Sequence, residues 1–279
     1  MNNKRVWVCI GNLCLAAGLM TGLLGCSKPI SDVKDLIVAI GPKTKMQFVY
    51  IPALKQYVGK YEVSNKQYRC FKKSHNSGQH QQMTLDQDDQ PAVAVSWNNA
   101  SAFCAWMTKT FGGSQWRFRL PTEQEWETVA ACGKPAEYPW GDGPIPRNWN
   151  YFGRENPVTG QKLDRNDGYV VSCPVQKSGA NACGLFGVGG NVWEWCEDTD
   201  DTEGKTRVLK GASWSDCAPL FLKISRRSSY TADYTSASIG FRVIAETLTS
   251  APKPPDAPAQ AQPAKSKTPP APEDDAADK

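Results

Sequence analysis

The sequence predicts one α+β domain with a large irregular fraction, flanked by two segments of different composition. Three observations carry that expectation. Nine of the ten tryptophans fall between Trp97 and Trp214. Glycine turns recur through the same stretch, at Gly112-Gly113, Gly141-Asp142-Gly143, Asp167-Gly168 and Gly189-Gly190, so regular elements between them must be brief. Only short runs keep the period of a helix or a strand. With 279 residues, 40% of them hydrophobic and 22% charged, the chain can bury one sizeable core.

Taken in order, Gln47 to Ile51 reads as a short strand. Ser96 to Thr110 reads as a helix, because Trp97, Ala100, Ala102, Phe103, Trp106 and Met107 fall near one stripe and Ser96 or Asn98 can cap it. A second helix begins at Pro121, where Thr122 and Glu125 have the spacing of a capping box. Arg119, Glu123, Glu125 and Trp126 are expected to form a charge and aromatic cluster that locks this helix onto a sheet. Arg207 to Lys210 and Gly240 to Ala245 complete small antiparallel sheets. The expected globular domain covers 46–247, after a linker over 26–45 that holds an apolar stretch from Val38 to Ile40.

The two flanks have their own signatures. Residues 1–25 start with Lys4 and Arg5, continue apolar from Val6 to Leu24, and end in Leu23-Leu24-Gly25 before Cys26. That order resembles a bacterial lipoprotein signal peptide, the alternative being an uncleaved membrane-spanning helix. The resemblance implies lipidation of Cys26, whose acyl chains together suffice for stable anchoring outside the cytoplasm. Ser27 after the modified cysteine implies sorting to an outer membrane in a diderm bacterium. Residues 248–279 hold eight prolines and no aromatic residue, so an extended spacer tail is expected.

Charge narrows the function classes. Thirty-two basic against 28 acidic residues give a net charge of +4 with no local basic cluster, which argues against a nucleic-acid partner. Only two histidines, His75 and His80, leave no room for a metal centre of three imidazoles.

Six motifs then occur in order: Gly59-Lys60-Tyr61-Glu62-Val63-Ser64-Asn65, Pro91-Ala92-Val93-Ala94-Val95-Ser96-Trp97, Arg119-Leu120-Pro121-Thr122-Glu123-Gln124-Glu125-Trp126-Glu127, Gly190-Asn191-Val192-Trp193-Glu194-Trp195, Gly211-Ala212-Ser213-Trp214 and Ile239-Gly240-Phe241-Arg242. Together, over about 200 residues, they resemble the formylglycine-generating enzyme, or sulfatase-modifying factor, family. The resemblance implies that family's variant of the C-type lectin fold, with little regular secondary structure.

It also implies where chemistry would sit. Members that oxidise a substrate cysteine hold copper(I) with two cysteines shortly after a Gly-Gly-Ser-Trp/Tyr motif, since soft thiolates select that ion. Counting from Gly211, those cysteines fall on Asp216 and Phe221. Cys217 is one residue out of step and no further cysteine follows it, so the local pair is absent and copper is not expected. If activity persisted, Cys217 and Ser213 would carry it.

Calcium is the expected cofactor. The resemblance implies one site with side-chain oxygens from Asn150 and Asp167 and carbonyls from Tyr151 and Tyr169. A second would use carbonyls at Gly187, Gly190 and Val192 with the Glu194 carboxylate, although Gly187 stands where the vertebrate enzyme has Asn. Hard oxygen donors on a loop-rich chain suit this ion. For Asp167-Gly168 the competing reading is an ordinary turn, and for Glu194 an ion pair with Arg242 or another base.

Seven cysteines remain after the signal peptide and lipid anchor are set aside, and outside the cytoplasm they are expected to pair where geometry allows. Cys173 with Cys183, and Cys70 with Cys104, are the spacings that suggest bridges. Trp214, Asp216, Arg226, Arg227, Tyr230 and Tyr234 are the expected groove for a peptide or protein partner. The functional expectation is therefore a membrane-anchored, non-catalytic accessory or regulatory lipoprotein of an envelope system for secretion, signalling or motility. Its rivals are a copper-dependent oxidase acting on sulfatase cysteines and a glycan-binding module.

Overall fold

The computed structural model describes residues 35–248. The signal peptide, Cys26 and nearly all of the expected tail lie outside them. The elements run β1 (Leu36–Gly41), β2 (Thr44–Ile51), β3 (Gln56–Gly59), α1 (Asn65–Phe71), β4 (Gln79–His80), β5 (Met83–Thr84), α2 (Trp97–Met107), β6 (Trp116–Arg119), α3 (Glu123–Ala130), β7 (Trp193–Thr199), β8 (Thr206–Lys210), β9 (Arg227–Thr231), β10 (Ile239–Gly240) and β11 (Ile244–Thr247). No named element falls between Ala130 and Trp193. The α+β expectation with a large irregular fraction therefore holds.

Two sheets organise the domain. The first has the order β1-β2-β3-β11-β6, antiparallel throughout, so β11 sits between two strands of the N-terminal half. The second has the order β10-β7-β8-β9, with β10 and β7 parallel and the other pairs antiparallel. A two-stranded ribbon joins β4 and β5. Two expectations are corrected here. Residues 36–41 are not linker: Leu36, Val38 and Ile40 turn inward and pair the segment with β2. Gly240 to Ala245 is not one strand but two, because Phe241, Val243 and Arg242 are all buried in the interval and the chain changes sheet there.

The helices start where local chemistry dictates. Ser96 caps α2 by accepting from the Asn99 N–H, and Thr122 with Glu125 closes a reciprocal capping box on α3. A third box, Ser64 with Gln67, begins α1. Phe48, Tyr68, Phe103, Phe118 and Phe241 pack between the first sheet and α2. Trp126 and Val129 of α3 pack on Val58, Val208 and Ile244. The expected cluster around α3 divides in two. Arg119 takes Glu125 with a two-pronged bond at 2.6 and 2.7 Å and also reaches Glu246 at 3.2 Å. On another side Lys210, whose side chain is fully buried, binds Glu123 and Glu127.

Candidate functional site

A cavity of about 190 Å³ opens against the second sheet, lined by residues of all four of its strands. Alternation along β9 sends Ser228 and Tyr230 into it, while Tyr234, Ser236 and Ser238 approach from the following loop. Asp216, Phe221 and Arg226 form another part of the wall. The Asp216 Oδ2 atom accepts the Trp193 indole N–H at 2.9 Å, the Ser213 backbone N–H at 2.9 Å and the Ser213 hydroxyl at 2.8 Å. The carboxylate is thereby fixed before any ligand arrives. Arg226 lies over the Phe221 ring at 4.8 Å, and its buried Nε has no partner. Tyr230 and Tyr234 stack at 4.2 Å between centroids and 9° between planes, both exposed. The wall therefore offers an anion, a cation, hydroxyls and a paired aromatic face.

Four of the six expected groove residues meet here: Asp216, Arg226, Tyr230 and Tyr234. Two do not. Trp214 is core, packed on Leu85 and Val192 with its indole N–H on the Ala237 carbonyl. Arg227 points to the opposite side of β9, where it pairs with Asp200 at 2.8 Å and Glu123 at 3.1 Å. Period-2 alternation makes neighbours 226 to 228 diverge, a consequence the unaligned chain does not display. Ser228 was expected in this stretch, whereas Trp193, Ser236 and Ser238 were missed, although Trp193 stands in a quoted motif.

The thiols lie elsewhere. Cys217 donates to the Gln161 carbonyl at 3.2 Å and is not part of the cavity wall. Burial, with the neighbouring Asp216 charge, raises its pKa. Cys196 is buried among Ile51, Trp126 and Val208, and burial pushes its thiol well up. The positions counted for the two family cysteines hold Asp216 and Phe221, and both line the same cavity.

The first expected calcium site retains an oxygen-rich setting. Asn150 is buried, with its Nδ2 on the Val171 carbonyl at 2.9 Å and its Oδ1 without a partner. The Asp167 carboxylate accepts the N–H of Tyr151 at 3.1 Å and of Tyr169 at 3.0 Å. Burial pushes the Asp167 carboxyl up to about 6, with Glu155 adding to the rise, against the lowering effect of these two N–H groups and of Arg165. An orphaned amide oxygen on Asn150, one residue before the Tyr151 N–H that binds the Asp167 carboxylate, fits a hard cation.

The second expected site does not fit. Both Glu194 oxygens are taken: Arg242 binds them at 2.5 and 2.6 Å, and the Trp126 indole N–H reaches one at 2.9 Å. The Gly187 carbonyl accepts the Gly190 N–H, and the Gly190 carbonyl accepts the Val192 N–H. A Cβ at Gly187, where φ is +69°, would lie 2.5 Å from the Glu62 carboxyl carbon. Glu62, buried and not singled out from sequence, fills that space. Its Oε2 accepts from Asn191 at 3.1 Å and its Oε1 is unpartnered. Burial and the nearby Glu194 charge raise its pKa well above the carboxylate range.

Residues 44–247 match the family described as the Sulfatase-modifying factor enzyme 1-like domain. The chain belongs to this family. Among its relatives, the formylglycine-generating enzyme of Thermomonospora curvata is 35% identical over 190 residues, covering 58% of this chain and 58% of the relative. The inactive C-alpha-formylglycine-generating enzyme 2 of Mus musculus is 39% identical over 159 residues, covering 54% of this chain and 48% of the relative. The chain thus spans about half the length of the curated relatives it matches. The structure of PvdO from Pseudomonas aeruginosa superposes with a TM-score of 0.54 at 24% identity, covering 74% of this chain and 84% of that one, a likeness of fold.

Proposed function

We propose that this member of the sulfatase-modifying factor family is a membrane-anchored lipoprotein without oxidase activity, which binds a peptide or protein in the cavity between Asp216 and Tyr234. The observation that carries the reading is the replacement of both thiol positions by Asp216 and Phe221 inside one cavity. A carboxylate already holding three donors and a ring already under a guanidinium are poor hosts for copper(I), which prefers soft thiolates. The similarity to a relative named inactive supports the same view. What the wall offers instead is recognition: stacked tyrosines for an apolar or planar side chain, Arg226 for a carboxylate, Asp216 for a donor.

Anchoring rests on the lipobox-like Leu23-Leu24-Gly25-Cys26 and places the cavity outside the cytoplasm, as an accessory or regulatory part of an envelope system for secretion, signalling or motility. At the first cation site Asn150 and Asp167, with the Tyr151 and Tyr169 carbonyls, would hold calcium. That ion would supply charge compensation and tie together the loops at 150 and 167.

The test uses the full chain, loaded with copper(I) and given a peptide containing Cys-X-Pro-X-Arg. Recovery of unmodified cysteine is expected, and conversion to formylglycine would overturn the reading. Beside it, a photocrosslinker at Tyr234 in cells should yield an adduct with an envelope protein that Asp216→Ala with Tyr230→Ala abolishes. Membrane fractionation of a Cys26→Ser variant should move the protein into the soluble envelope fraction.

A further inference from the structure

Among the described residues all seven cysteines are free thiols, and neither bridge suggested by spacing is made. Cys173 lies against Asn150 and Ser178 in the buried loop cluster, not against Cys183. Cys70 packs by Gly41, whose added Cβ would lie 3.0 Å from its sulfur. Cys183 has a different neighbour. Cys132, just past the end of α3, and Cys183, in the loop before β7, line one wall of the same cavity.

The backbone holds them there by one clamp. The Asn181 side chain is buried; its Nδ2 donates to the Val129 carbonyl at 2.9 Å, and its Oδ1 accepts the Cys183 N–H at 3.1 Å and the Leu185 N–H at 3.2 Å. The same Val129 carbonyl accepts the Cys132 N–H at 3.2 Å. A single amide therefore spans from the carbonyl that caps the Cys132 turn to the N–H of Cys183. Cys132 adopts φ +52°, a left-handed conformation that favours glycine. Glycine would relieve that strain, yet a thiol stands there, half-buried and in side-chain contact with Cys183.

We propose that Cys132 and Cys183 form a disulfide that fastens the end of α3 to the loop before β7. The proposal does not depend on the reading of the groove. The oxidant is a disulfide, from a protein or a small molecule, of the kind that oxidising compartments supply. One thiolate attacks a sulfur of that disulfide, forming a mixed disulfide and expelling the first leaving thiolate. The second cysteine then attacks the mixed disulfide, forming the Cys132–Cys183 bond and expelling the other. Two protons go to solvent and two electrons to the oxidant's sulfurs. Burial and the contact with Cys132 push the Cys183 thiol up to about 12.

The test titrates the full chain with oxidised glutathione, blocks free thiols, and digests with trypsin and Glu-C. Cys132 then lies on residues 128–137 and Cys183 on 178–194, the latter free of other cysteines. The expected result is a linked 128–137/178–194 pair that disappears in Cys132→Ser and in Cys183→Ser. A rise in unfolding midpoint of about 5 °C or more on oxidation should accompany it. Recovery of both peptides blocked as free thiols, or their linkage to other cysteines, would overturn the assignment. Because the mapping is made on the unmodified sequence, a variant that fails to fold leaves the answer intact.

Discussion

Trp193 donates its indole N–H to Asp216 at 2.9 Å, and this bond fixes a carboxylate where the family resemblance places a thiol. Phe221, at the second such position, lines the same cavity. Asp216→Cys with Phe221→Cys should therefore create a copper(I) site that the natural sequence lacks. Titration of the reduced protein against a weak colorimetric chelator should show one-to-one competition by the double variant. Equal competition by the natural sequence, lost in Cys217→Ser, would reveal a rearranged copper site instead.

Arg242 and Glu194 are the most completely buried ion pair described, with 1% and 0% side-chain exposure. Leaving either partner alone in that setting costs roughly 3–5 kcal/mol. Arg242→Met and Glu194→Gln should each lower the denaturation midpoint strongly, whereas Lys205→Met, at an exposed pair with Glu203, should leave it within about 0.5 kcal/mol. Comparable losses at both places would contradict the ranking by burial.

Acid should weaken the fold partly through His75. Burial, with Arg69 and Lys72 adding and Asp86 opposing, lowers its pKa to about 4 from an ordinary 6.5. Tyr68 packs on the ring at 4.6 Å, and Ser77 shares a hydrogen bond with its Nε2. The folded state thus binds this proton less readily than the unfolded one. The contribution is complete above pH 6.5 and is lost as pH falls through the window to about 4. Denaturant titrations at pH 7 and pH 5 should show a smaller loss for His75→Gln than for the natural sequence. An identical loss in both would remove His75 from the account.

Calcium should stabilise the domain if Asn150 and Asp167 hold it. Binding to the folded state alone contributes about 2.7 kcal/mol at a hundredfold excess over Kd. The unfolding midpoint should rise with calcium and fall with chelator, and Asp167→Asn should abolish the response. Glu194→Gln should preserve it, because Arg242 already occupies that carboxylate. A response lost only with Glu194 would move the ion to the second site.

Much of the framework was legible because it is written locally. Ser96, Thr122 and Glu125 signal helix starts within four residues, and the turns at Gly141 and Gly189 punctuate the chain where the structure bends. Strand partners were not legible. Nothing in Ile244 to Thr247 states that it lies between β3 and β6, a pairing across nearly the whole domain. The cavity was half legible: Asp216 and Tyr230 could be placed by resemblance, but the side of β9 on which Arg227 emerges depends on the register of a sheet. Glu62 was hidden for a related reason. Its motif gives no sign that the carboxylate will fill the space left by a glycine 125 positions later.

The insertion of β11 between β3 and β6 makes completion of the first sheet wait for the last strand of the domain. Until residues 244–247 have emerged, β3 and β6 have no strand to bridge them, and their facing backbone edges stay open. The β1-β2-β3 part of that sheet and β6 are therefore joined only through a strand from the far end of the domain, a long-range closure that has to wait for the whole domain.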